Sequence, residues 1–281
     1  RKTTGFTERT TRLFPRGGKT DSFARESPQR EDAVSWGQKK ISGLGALAVS
    51  VAMCCALAAW KWDFMMMAKD AVSNRMAKRC TVGERVEQYG TVVRERLLPF
   101  FEKADAPWPA RRLVLVGLKE ERQLEVWGED ATGTLKLIRV YPVMGASGTI
   151  GPKLVEGDGQ VPEGIYGIES LNPNSAFHLS LRVSYPNVFD RERAKEDGRQ
   201  RLGSDIMIHG GTASAGCLAM GNEAAEDLFV MAALAGTANV EVILCPCDLR
   251  VKRPRPSANA PTWTARLYQT LGAKMKTLPR S

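Results

Sequence analysis

Ile208-His209-Gly210-Gly211-Thr212-Ala213-Ser214-Ala215-Gly216-Cys217-Leu218-Ala219-Met220 is the stretch on which the reading of this chain turns. It holds one of only two histidines, the other being His178, and sets it in one short run with a cysteine. A cysteine becomes an acyl-transfer nucleophile when a nearby imidazole takes its proton or pairs with its thiolate. Gly210, Gly211 and Gly216 let the backbone bend past reacting atoms and leave N–H groups to face a developing oxyanion. The same surroundings predict a lower thiol pKa at Cys217 than at Cys245 or Cys247. On spacing alone, an inert buried thiol is an equally good reading.

The wording of the run, His-Gly followed by Ser-x-Gly-Cys-x-x-Met, resembles the signature of the L,D-transpeptidase (YkuD-type) catalytic domain. In that bacterial cell-wall family the signature cysteine is the nucleophile. Upstream phrases extend the resemblance over roughly 113–247: Leu124-Glu125-Val126-Trp127, Tyr141-Pro142-Val143 and Ser147-Gly148-Thr149-Ile150-Gly151-Pro152-Lys153. Gly157 to Tyr166 and His178 to Asn187 continue it and are similar to the YafK-like branch, which includes an amidase that detaches an outer-membrane lipoprotein from peptidoglycan. The better-known transpeptidase pattern reads Ser-His-Gly-Cys followed by an arginine, whereas Ala215 and Ala219 stand at those places here. The His-to-Cys interval is also shorter, and both departures favour hydrolysis over 3,3-cross-linking.

The resemblance implies a mainly β fold with peripheral helices (α+β), built of curved, packed β-sheets with a groove leading to the cysteine. It implies that Cys217 attacks the carbonyl at the L-centre of diaminopimelate in a stem peptide, forming a thioester. His209 would activate the thiol and protonate the leaving amine, with its tautomer fixed by the carbonyl of Gly210. Backbone N–H groups around Ala215, Gly216 and Cys217 would form the oxyanion hole, and Ser214 would brace their turn. Lys153 and Arg182 are candidates for the substrate carboxylates that the missing arginine would meet, with solvated charges as the plainer alternative. His178 ranks as a core or groove residue rather than the base. Water as acceptor makes the enzyme an amidase releasing a lysine-linked protein; a stem amine makes it an L,D-transpeptidase. A catalytically inactive wall-binding module is a third reading, opposed by the intact Cys-His pair. The implied partners are peptidoglycan stem peptides and, for the amidase, a covalently attached lipoprotein.

With 281 residues and 43% hydrophobic content the chain is long and apolar enough for a sizeable core. The net charge of +9 is uneven: 1–40 carry +5, 41–247 carry −3 and 248–281 carry +7. Basic ends suit an anionic polymer or lipid, but no aromatic interleaving supports nucleic-acid binding. From Ile41 to Trp60 no residue is charged, the length of a bilayer crossing. This predicts a transmembrane or signal-anchor segment contacting membrane lipid, with Ala56-Leu57-Ala58 offering the rival of a cleaved signal peptide. The enzyme would then sit in the bacterial cell envelope, anchored to the inner membrane with its catalytic domain in the periplasm, or secreted there. Six cysteines are too few for a disulfide scaffold in a chain this long. Cys80 with Cys245 or Cys247 is one candidate bridge, and the spacing matches no zinc site, so neither metal nor cofactor is expected.

The expected organisation is a basic arm over 1–40, the span over 41–60, a helical stalk over 61–110 whose helix could also be a packing helix, the catalytic domain over 111–247 and a basic tail with a helix over 248–281. Strand-like runs fall at Leu113 to Gly117, Leu124 to Trp127, Leu135 to Val143, Phe177 to Val183, Ile206 to His209 and Asn239 to Leu244. Gly145 to Gly164 reads as a loop, Asn222 as the N-cap of a helix reaching Ala235, and Thr262 to Lys276 as a last helix.

Overall fold

Leu113–Leu118 (β1) is an unbroken apolar run, and such a run suits a strand covered on both faces. In the computed structural model, which describes residues 79–278, every residue of β1 is buried. Side chains alternate along a strand. Leu113 and Leu115 enter one core while Val114, Val116 and Leu118 enter a second on the opposite face. β1 pairs antiparallel with Gln123–Glu129 (β2) and parallel with Val240–Cys245 (β9). Leu135–Pro142 (β3) adds to β2 as an edge strand.

On the other side of β9 come Gly164–Ser175 (β5), His178–Val183 (β6) and Met207–His209 (β7), each antiparallel to the strand before it in the sheet. Leu218–Ala219 (β8) then pairs parallel to β7, and Gly145–Ala146 (β4) closes the edge. The sheet order is β3-β2-β1-β9-β5-β6-β7-β8-β4. A parallel pair ordinarily needs a long crossover. Here the connection is the glycine-rich loop itself, and it turns tightly because Gly211 and Gly216 take φ of +68° and +103°, where a side chain would be strained.

The fold class expected from sequence needs two corrections. The strands form one curved, mixed nine-stranded sheet rather than separate packed sheets. No stalk is present among the described residues. The helix Val82–Lys103 (α1), opened by a Thr81–Glu84 capping box, lies on the domain. Its Val93, Leu97 and Phe101 recur every four residues and are fully buried in the first core. The helical period was real, but the apolar stripe serves to dock the helix. Among the described residues no helix is long and apolar enough to cross a membrane. The arm over 1–40, the span over 41–60 and the stalk up to 78 lie outside the described residues.

Asn222–Ala235 (α3) packs beside α1 on the same core through Leu228, Phe229 and Met231. Thr264–Met275 (α4) covers the opposite face with Leu267, Tyr268, Leu271 and Met275. Between β6 and β7 runs a surface helix, Val188–Glu196 (α2), started by an Asn187–Asp190 capping box. Cys245 and Cys247 are buried free thiols, so the candidate bridge to Cys80 is not formed.

Candidate active site

Sheet register places the site. Ser180 faces His209 and Arg182 faces Met207 across β6 and β7, while Ile208 faces Leu218 and His209 faces Ala219 across β7 and β8. Leu181, Ile208 and Leu218 point into the first core. By alternation, Ser180, Arg182, Met207 and His209 share the other face, and Cys217, just before β8, continues it. A nucleophile candidate and a base candidate thus lie on one face of the sheet with an apolar layer beneath.

The His209 ring is buried, and its Nδ1 lies 2.6 Å from the carbonyl oxygen of Gly210. A carbonyl only accepts, so Nδ1 carries the proton and Nε2 is left as the basic nitrogen. Gly210 has no room for a side chain, since a Cβ would come within 2.7 Å of both Asn222 Oδ1 and Phe177 O. Phe177 stacks its ring on His209 at 4.7 Å between centroids. The thiol of Cys217 accepts from the N–H of Met207 at 3.4 Å and donates to the carbonyl of Asp205 at 3.6 Å. Its pKa is pushed up, and those of Cys245 and Cys247 are pushed up as well, Cys247 to about 11. For Cys217, burial is the largest cause, Met207 N–H opposes it, Asp205 adds to it and Lys153 opposes it. Lost hydration around the sulfur outweighs the Met207 N–H and the Lys153 charge.

Of the expected oxyanion donors, the Gly216 N–H is engaged by Ser147 Oγ at 2.6 Å. Ser214 Oγ donates to the Cys217 carbonyl at 2.7 Å and accepts from Ser147 N–H at 3.2 Å, so Ser214 holds the turn. Lys153 is not a solvated charge. It is buried, with Nζ donating to Asp158 at 2.5 Å and to the Val155 carbonyl at 3.0 Å, which pins the 145–164 loop. Arg182 lies near the thiol, ion-paired to Asp205 and Glu169. His178 is turned away, its Nε2 2.9 Å from Glu226 of α3.

Residues 111–243 match the family model described as the YkuD L,D-transpeptidase catalytic domain. The chain carries an L,D-transpeptidase catalytic domain. It is 33% identical over 156 residues to YafK of Escherichia coli strain K12, which is named among the L,D-transpeptidases; the match covers 52% of this chain and 59% of that protein. YafK of Escherichia coli O157:H7 matches equally. The chain thus spans less than two thirds of the length of these curated relatives. Among solved structures, the helical cell shape determining protein Pgp2 of Campylobacter jejuni is similar at 20% identity, covering 57% of this chain and 53% of that one, with a TM-score of 0.40. Bd1075 of Bdellovibrio bacteriovorus is similar at 22% identity, covering 59% and 56%, with a TM-score of 0.35.

Sequence reasoning missed four residues that surround the candidate site of this L,D-transpeptidase domain: Ser147, Phe177, Asp205 and Asn222. Ser147 opened a quoted phrase and Phe177 a strand-like run, but nothing local says that they reach the 209–217 run. Asn222 was expected as a helix N-cap. Gly221 holds that place at φ +77°, and the Asn222 side chain instead accepts from Gly211 N–H at 3.0 Å. Asp205 stands at φ +60°, a conformation without a sequence signal in a non-glycine residue.

Proposed function

We propose that this domain is a cysteine-dependent acyltransferase of the bacterial cell envelope, acting on peptidoglycan stem peptides as an L,D-transpeptidase. The observation that carries this reading is the 2.6 Å contact of His209 Nδ1 with the Gly210 carbonyl, because it leaves Nε2 free to act on the face it shares with Cys217. Cys217 begins as a neutral thiol, held so by burial. Nε2 takes its proton as sulfur attacks the L-centre carbonyl of diaminopimelate. The S–C bond forms, the C–N bond breaks, and the imidazolium returns the proton to the leaving amine. The N–H groups of Ala215 and Cys217 receive the oxyanion, each such donor contributing about 3 kcal/mol to the transition state. An acceptor amine then resolves the thioester by transfer.

The names of the E. coli relatives support transfer. The amidase reading rests on narrower ground: Ala219 is fully buried and brings no charge to the position of the usual arginine. Mass analysis of purified wall fragments incubated with the protein tests both. Loss of D-alanine with gain of a new amide supports the transferase; release of a lysine-linked peptide with gain of water supports the amidase. No change in the fragments rejects both.

A further inference from the structure

Arg182 stands directly opposite Met207, whose N–H donates to Cys217 Sγ, and the thiol itself donates to the carbonyl of Asp205. The Asp205 side chain reaches back to the guanidinium, with Arg182 Nη2 to Asp205 Oδ1 at 3.1 Å, and Ser204 Oγ donates to its other oxygen at 3.0 Å. Arg182 Nε lies 3.1 Å from Glu169 Oε2 yet makes no aligned hydrogen bond. Arg182 is 34% exposed and Asp205 65% exposed. An ion pair this wet adds little to stability, so it is readily exchanged for a ligand.

We infer that the Arg182–Asp205 pair is a binding site for a zwitterionic amino-acid end, Arg182 taking its carboxylate and Asp205 its ammonium. This rests on the acyl-transfer reading of Cys217. A lone carboxylate or a lone amine breaks the resident pair and replaces only half of it. A group with both charges on one carbon replaces both halves, and the guanidinium fork suits its carboxylate. The site also couples binding to the nucleophile. The Asp205 charge adds to burial in holding the proton on Cys217, with Lys153 opposing. An ammonium seated on Asp205 cancels that charge and eases transfer of the proton to His209.

The test is the rate of Cys217 alkylation by iodoacetamide near neutral pH in the full chain, read by mass spectrometry of the labelled peptide. meso-Diaminopimelate, whose ends each carry both charges, is expected to raise the rate about threefold or more. Pimelate and 1,5-diaminopentane, which carry only one kind of charge, should not. Asp205→Asn keeps a side chain tolerated at φ +60°, and is expected to raise the unliganded rate about threefold while erasing the response. Arg182→Gln should erase the response alone. No acceleration by diaminopimelate in the unaltered protein, or an unchanged rate in Asp205→Asn, overturns the inference. Alkylation needs neither wall polymer nor turnover, so failure of the acyl-transfer reading appears separately, as the absence of product in the wall-fragment assay.

Discussion

At the scale of the residue, His209 and His178 have different surroundings although both are histidines beside the same hairpin. His209 spends Nδ1 on the Gly210 carbonyl, whereas His178 commits Nε2 to Glu226 and sets its ring edge-on to Tyr89. Replacing His209 by Gln is therefore expected to lower kcat by about two to four orders of magnitude, and His178→Gln to act mainly on stability or KM. Steady-state kinetics on both variants checks this, and the reverse ranking would move the base to His178. Cys217→Ala should abolish turnover with an unchanged circular dichroism spectrum, since one small side chain replaces another. Retained turnover would leave Cys217 as an inert thiol.

At the scale of the element, α1 and α2 carry the clearest tests. Leu97 is fully buried in the first core, so Leu97→Ala should cost about 3 kcal/mol in urea unfolding. A cost near zero would mean that α1 stands off the sheet. In the α2 capping box, burial pushes the Asp190 carboxyl up from 3.8 to about 6, against the pull of the Asn187 N–H and the Tyr166 hydroxyl. A raised carboxyl binds its proton more tightly in the folded state, so its contribution is complete below pH 4 and is lost as pH rises through 6. Between pH 5 and 7 that loss is about 1 kcal/mol, and Asp190→Asn should remove it while keeping an acceptor for the cap. Unfolding free energies of both proteins at the two pH values decide; parallel pH dependence would clear Asp190 of the effect. The same elements show what was legible in sequence. β1, β2, β3, β9 and α3 were visible because each carries its own apolar period. α2 was not, because it buries only Ala194 and announces itself by a cap rather than a stripe. α1 was visible as a helix, but its choice between stalk and packing helix was not, because a stripe does not say what it packs on. The Cys-His pair was legible because both residues lie in one run. Its environment was not: Ser147, Phe177 and Asp205 arrive by sheet pairing and loop closure, and the rise in the Cys217 pKa comes from burial that local sequence does not record.

At the scale of the whole molecule, a double-faced sheet puts the candidate residues at the end where β7 and β8 run parallel, and the 145–164 loop reaches their turn through Ser147. Lys119 ties that loop to the body, donating to Gly151 O, Val161 O and Glu163 within 3.0 Å, and Ser147 carries the constraint to Gly216. Ser147 and Ser214 thus hold the turn that leads into Cys217, the turn to which the proposed mechanism gives the oxyanion. The acceptor is decided by what lies along the rim. That rim offers paired charges at Arg182, Asp205 and Glu169, with a buried alanine at 219. A rim able to hold a charged amino-acid end favours a second peptide over bulk water, in keeping with the transferase reading. With a stem tetrapeptide as donor and a stem peptide amine as acceptor, the expected product is a new amide with loss of D-alanine, seen by mass spectrometry. A lysine-linked conjugate offered alone should be released only slowly. Rapid release from the conjugate, with no amide formed between stems, would reject the transferase and establish the amidase, and the rim would then serve the leaving peptide rather than an incoming one.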